Sequence, residues 1–120
     1  MLNLDTHVLL HALSDDLTDR ERALLSEDTW SISAIVLWEI AKLAQLGRID
    51  VGLDDAELAR AVARVHTWPL TIGVCAAIAQ VDVHVDPADE IIAATSIVHD
   101  VPLVTNDRRL RRSRIIPLAR

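Results

Sequence analysis

The sequence predicts an α/β fold, a parallel sheet of about five strands covered by helices on both faces. Three observations predict it. Short apolar runs alternate with longer stretches of helical period, the order a covered parallel sheet requires. The run 1–4 passes straight into a helical pattern and leaves Asp5 at the junction, where open α/β sheets bind their ligands. Half of the 120 residues are apolar, yet the only aromatics are Trp30, Trp38 and Trp68, so Leu, Ile, Val and Ala must fill a core pressed between layers. The length fits one domain spanning 1–120.

The elements follow in order. After the strand 1–4 comes a helix over 6–13, stopped by Ser14-Asp15-Asp16. A second helix, 18–25, opens on a capping box in which Glu21 stands three residues after Thr18. Residues 29–32 read as a strand. Ser33 then caps a helix over 34–46, and Gly47 sits where a left-handed residue ends one. Asp54 starts a helix over 55–66 whose Leu58, Ala61, Val62 and Val65 form an apolar stripe. The strand 67–70 belongs at an edge, because Pro69 has no N–H to give to a ladder. The run 72–81 reads as a buried, Ala-rich helix carrying Cys75 as a small buried hydrophobe. Asp86 and Pro87 open a helix over 88–99. Strands at 101–105 and 115–118 flank a short Arg-rich helix.

Several classes are excluded. No apolar run has bilayer length, and no basic leader precedes a cleavage site. The single cysteine has no internal partner, so a cytoplasmic protein is expected. Three scattered glycines make no phosphate loop, and no serine or cysteine has a base beside it in a strand–turn setting. Charge is uneven. Residues 1–107 hold all eighteen acids against six bases, whereas the last thirteen residues hold six arginines and no acid. Such asymmetry is expected of a protein that grips phosphates, or simply of a solvated, frayed end.

Four acids stand out, each with a plainer reading beside it. Asp5 serves equally as a helix N-cap. Glu39 falls on the apolar side of its helix, beside Ile35, Leu43 and Leu46, where a charge is costly unless paired or bound to metal. Its plainer reading is an exposed pair with Lys42. Asp86 is explained completely as a cap, which leaves Asp89 or Glu90 over as more than a partner for the helix dipole. Asp107 follows the fourth strand as Asp5 follows the first, or else marks a turn and cap. If Asp5, Glu39, Asp89 and Asp107 converge, they form a hard oxygen site suited to Mg²⁺ or Mn²⁺ and to phosphodiester cleavage. The Thr6 and Thr105 hydroxyls would orient those ligands from behind. His7 and His11, four apart, offer a rival zinc reading, but they lack a third ligand in register.

These residues carry a resemblance. Leu-Asp-Thr-His at the start, Ser33 to Glu39 with Trp-Glu-Ile, Asp-Pro-Ala-Asp at 86–89 leading to Ile-Ile-Ala-Ala-Thr, and Leu-Val-Thr-Asn-Asp at 103–107 together resemble PIN-domain proteins. More narrowly, they are similar to VapC-type toxin ribonucleases of toxin–antitoxin pairs. The resemblance implies a three-layer αβα sandwich with a central parallel sheet. It also implies an acidic quartet of Asp5, Glu39, Asp89 and Asp107 holding Mg²⁺ or Mn²⁺, and endonucleolytic cleavage of RNA. A homodimer and neutralisation by a small VapB-type antitoxin are expected with it. In this reading Arg108, Arg109, Arg111 and Arg112 contact the RNA backbone. The position after the third acid departs from the pattern: relatives often carry Arg, and here stands Glu90, a possible fifth acid at the pocket rim. The rivals are a non-catalytic module of the same fold that only holds a protein or RNA, and a nuclease acting on DNA.

Overall fold

The structure, a computed structural model, describes residues 1–120. Four parallel strands form the sheet: β1 (Leu2–Leu4), β2 (Trp30–Ser33), β3 (His66–Trp68) and β4 (Leu103–Val104), in the order β3-β2-β1-β4. The helices are α1 (Thr6–Leu13), α2 (Asp19–Ser26), α3 (Ile35–Gln45), α4 (Ala56–Arg64), α5 (Ile72–Ala77), α6 (Pro87–His99) and α7 (Arg108–Arg111). The expected fifth strand is a single parallel bridge, Leu103 to Leu118. Pro117 lies within that segment and cannot donate, so its pairing with β4 is confined to two bonds, Leu103 N–H to the Pro117 carbonyl and Ala119 N–H to the Leu103 carbonyl.

β1 is the centre of the sheet and is buried on both faces. Leu2 and Leu4 project one way and Asn3 the other, since side chains alternate along a strand, and all three are at most 6% exposed. The main core of sixteen buried residues draws on β1, β2 and β4 and on α1, α3, α4 and α6. α6 covers the Asn3 face. The Asn3 amide donates to the Ile92 carbonyl at 3.3 Å and to the Ser96 hydroxyl at 2.9 Å, which ties the helix to the strand.

Local signals were mostly sound. Thr18 and Glu21 form the reciprocal capping box, Gly47 adopts φ +70°, and β3 with Pro69 behind it lies at the sheet edge. Other expectations need correction. The cap of α4 is Asp55, not Asp54: its carboxylate accepts from the Glu57 and Leu58 amides, and the helix stops before His66, which belongs to β3. The run 72–81 splits into α5 and a 3₁₀ turn at Ile78–Gln80. Only Val74 and Ala77 of α5 are buried, against Ala94, while Ile72 is 90% exposed and Cys75 is exposed. A six-residue helix lying on α6 can turn only one narrow side inward, so apolar character here does not mean burial. No helix is long and apolar enough to cross a membrane.

The strand order places a switch point between β1 and β4, because the chain builds outward to β2 and β3 on one side and returns to β4 on the other. Asp5 and the segment 105–107 emerge there. The Asn3 amide should matter for holding α6 above that crevice. Asn3→Ala removes two buried hydrogen bonds and is expected to cost about 1–3 kcal/mol in urea unfolding, with the native fold kept by circular dichroism.

Candidate active site

Three of the four acids are placed by the end of an element, and Glu39 stands within α3. Asp5 leaves β1 in extended conformation and is 6% exposed. One carboxylate oxygen caps α1, accepting the Val8 amide at 2.8 Å, and the other accepts the Thr105 hydroxyl. Cap and site residue are thus the same side chain. Glu39 is half-buried on α3 and accepts the Thr6 hydroxyl. It does not pair with Lys42, whose ammonium donates to Gln45 at 3.0 Å. Asp89 stands in the first turn of α6. Asp107 caps α7, accepting the Arg109 amide at 2.7 Å and the Leu110 amide at 3.4 Å, and pairs with the Arg109 guanidinium at 3.2 Å.

All four line one cavity of about 330 Å³, together with Asp86, His7, His11, Asn106 and Arg109. The fifth acid is therefore Asp86, not Glu90. Asp86 occupies the N-cap position of α6, but its side chain makes no capping bond and lies on the cavity wall. Pro87 at the first helical position already removes one amide that would seek a cap. A larger hollow of about 490 Å³ beside α2 is lined by charges of both signs, Arg20 and Arg120 with Glu27 and Asp28, and holds none of the five acids of the first cavity. The arginine run is divided in its roles. Arg109 is bound to Asp107, Arg111 donates to the Thr105 carbonyl at 3.2 Å, and Arg108 and Arg112 are exposed.

The electrostatics are those of crowded carboxylates. Burial pushes the Asp5 carboxyl up, against the opposing pull of the Thr105 hydroxyl, the Val8 amide and His7; Glu39 adds to the rise. Asp89 is raised to about 6, first by desolvation and then by the charges of Glu39, Asp5, Asp107 and Asp86. Asp107 goes the other way. Desolvation would raise it, but hydrogen bonds from the Arg109 side chain and the Arg109 and Leu110 amides hold it below the usual range.

Oxygen donors of this number suit a hard divalent cation, and Asp89 marks a charge excess that Arg109, paired with Asp107, offsets only in part. No three His, Cys, Asp or Glu side chains stand close enough to enclose an ion as they are placed. His7 and His11 reach the same wall, but they bring no third nitrogen or sulfur ligand with them. The sequence reading missed Asp86 and Asn106 on the wall. Only the position of Asn106 between Thr105 and Asp107 offered a signal.

Linkage gives the sign of a pH effect. Well below pH 3.8 Asp89 is protonated whether folded or not; between about 3.8 and about 6 the unfolded chain loses a proton that the folded protein keeps. Stability therefore falls as pH rises through that window. Asp89→Asn should flatten the fall and stabilise the metal-free protein at pH 7 by about 1 kcal/mol, the linkage value discounted for solvent screening. Urea unfolding in a chelator at pH 4 and pH 7 measures it, and equal losses in both proteins would contradict the assignment.

A PIN domain family model matches residues 3–115. Ribonuclease VapC22 of Mycobacterium tuberculosis is 34% identical over 99 residues, covering 78% of this chain and 74% of the relative. Among solved structures, the fold is similar to VapBC2 from Rickettsia felis bound to a promoter DNA fragment, with TM-score 0.76, 19% identity, and 99% of this chain and 98% of that chain covered. It is also similar to DNA-bound VapBC from Salmonella typhimurium, with TM-score 0.73, 20% identity, and 99% and 98% covered. A toxin–antitoxin complex from Klebsiella pneumoniae matches with TM-score 0.71 at 16% identity, over 95% of this chain and 92% of that one. With its strand-end acids in one cavity and these matches along nearly its whole length, the chain belongs to the PIN domain family, among the VapC-type proteins.

Proposed function

We propose that this protein is a Mg²⁺- or Mn²⁺-dependent endoribonuclease, the toxin of a type II toxin–antitoxin pair. The observation that carries the reading is the meeting of Asp5, Glu39, Asp89 and Asp107, drawn from four separate segments, on one cavity wall. The name of the 34% identical relative, a ribonuclease, supports RNA as the substrate. The toxin–antitoxin complexes among the similar folds support a VapB-type antitoxin as partner. A cytoplasmic homodimer belongs to the same proposal.

A bound Mg²⁺ or Mn²⁺ would supply an activated water and neutralise charge at the scissile phosphate. The chain's own residues do the rest. Asp5, Glu39 and Asp89 would hold the ion, in part through its bound waters, with Asp107 as a further ligand or a group that orients water. Hydroxyls of Thr105 and Thr6 hold the carboxylates of Asp5 and Glu39, so that those groups do not turn away from one another to relieve repulsion. Arg109 keeps a cation at the wall beside Asp107, where a phosphate approaching an acidic cavity needs one. Arg108 and Arg112, exposed next to it, contact the RNA backbone. Arg111 holds the Thr105 carbonyl and so keeps the strand end in place. An Arg or Lys of the antitoxin set into the acidic cavity would close it.

Asp5→Asn is a clean test, because Asn caps a helix about as well as Asp and α1 should persist. RNA cleavage with Mg²⁺ or Mn²⁺ should drop by about 100-fold or more, with circular dichroism unchanged. Full cleavage by the variant would overturn the assignment. Cleavage of single-stranded DNA at the rate of RNA would move the substrate to the rival nuclease reading.

A further inference from the structure

One buried charge has no part in the mechanism above. Glu21 on α2 is 0% exposed, and no cation pairs with it; the chain's ion pairs are Met1 with Asp28, Arg22 with Asp15 and Arg109 with Asp107. One of its carboxylate oxygens accepts the Thr18 amide at 2.8 Å, the return bond of the capping box. Gln makes that bond as well as Glu does, at no cost of buried charge. The second oxygen accepts the Asn106 side-chain amide at 2.8 Å. A carboxylate offers two acceptor oxygens where a side-chain amide offers one acceptor and one donor. With the Asn106 oxygen turned to the Arg20 guanidinium, the second bond is what favours an acid here. Desolvation acts to raise this carboxyl, but the bonds from Thr18 and Asn106 outweigh it and hold it below the usual range.

The bond spans 85 positions of sequence and reaches the wall of the acidic cavity, where Asn106 sits between two residues of the site. Thr105 donates its hydroxyl to Asp5 and accepts the Asp107 amide at 3.1 Å, while Asp107 presents its carboxylate to the cavity. Asn106 itself is exposed. Its other tie is a long one, from the Arg20 guanidinium at 3.4 Å, and Arg20 lies on the same helix as Glu21. α2 thus grips the segment 105–107 from outside the cavity. We propose that Glu21 is a positioning residue of the acidic site: by holding Asn106 it sets the segment 105–107, and with it the Thr105 hydroxyl on Asp5 and the Asp107 carboxylate. The inference rests on the nuclease reading for its activity readout alone.

The test uses the full chain and three variants, Glu21→Gln, Asn106→Ala and the double substitution. Glu21→Gln keeps the capping acceptor but turns an amide donor toward the Asn106 donor. Exchange of the Asp107 amide, which is bonded to the Thr105 hydroxyl, is expected to speed up about 10-fold in each single variant, while the amides of α2 in Glu21→Gln keep their rates. For RNA cleavage with Mn²⁺, kcat should fall about 10-fold with KM changed by less than about 2-fold, and the double variant should be no slower than Asn106→Ala. Faster exchange in α2 with 105–107 unchanged, or losses in kcat that multiply in the double variant, would overturn the proposal. Asn106 lies on an exposed loop, so its variant keeps the test decisive if Glu21→Gln fails to fold. If wild type does not cleave RNA, the nuclease reading falls, and the exchange rate at Asp107 still decides the link to Glu21.

Discussion

Repulsion between carboxylates is the constraint on which the rest of this structure depends. Five acids, Asp5, Glu39, Asp86, Asp89 and Asp107, share the wall of one cavity, and the other four all disfavour the ionisation of Asp89. Such a cluster survives only if the backbone over-determines it. Here β1, α3, α6 and the end of β4 are fixed by core packing, and the oxygens are then held by donors: Val8 and Thr105 on Asp5, Thr6 on Glu39, Arg109 and two amides on Asp107. Asp89 receives no such donor, and its carboxyl is the one lifted to about 6.

The architecture explains why the acids meet. Parallel strands put their carboxyl ends on one side, and the order β3-β2-β1-β4 leaves a crevice where β1 and β4 part. Asp5 lies on one lip of it and Thr105 to Asp107 on the other. α6 brings Asp89 over that crevice because its Ile92 carbonyl and Ser96 hydroxyl take the Asn3 amide from β1. The fold and the site are therefore one problem for the sequence: a change that loosens Asn3 also moves an acid.

Much of this was legible in residue order, and the reasons are local. Thr18 with Glu21, Gly47 and Pro69 announced their roles because capping and φ restrictions act within a few residues. The helical position of Glu39 among apolar neighbours marked it as more than a surface acid, and it does take a partner from another helix. What could not be read was whatever depends on distant packing. Cys75 and Ile72 lie in an apolar run yet face outward, because α5 rests on α6 with only Val74 and Ala77 inward. Asp86 satisfied every rule for a cap and turned its side chain to the cavity instead. Glu21 read as half of a capping box, while its second oxygen holds Asn106 across the molecule.

If the acids are a cation site, loading it should release the proton that crowding keeps on Asp89. Titrating Mn²⁺ into the metal-free protein at pH 6, in two buffers of different ionisation enthalpy, tests this most directly, because the heat then separates binding from proton release. The account predicts saturable binding with about half a proton more released than in Asp89→Asn, as expected for a group with pKa near the working pH. Absence of binding in wild type, or binding with the same proton count in Asp89→Asn, would contradict it.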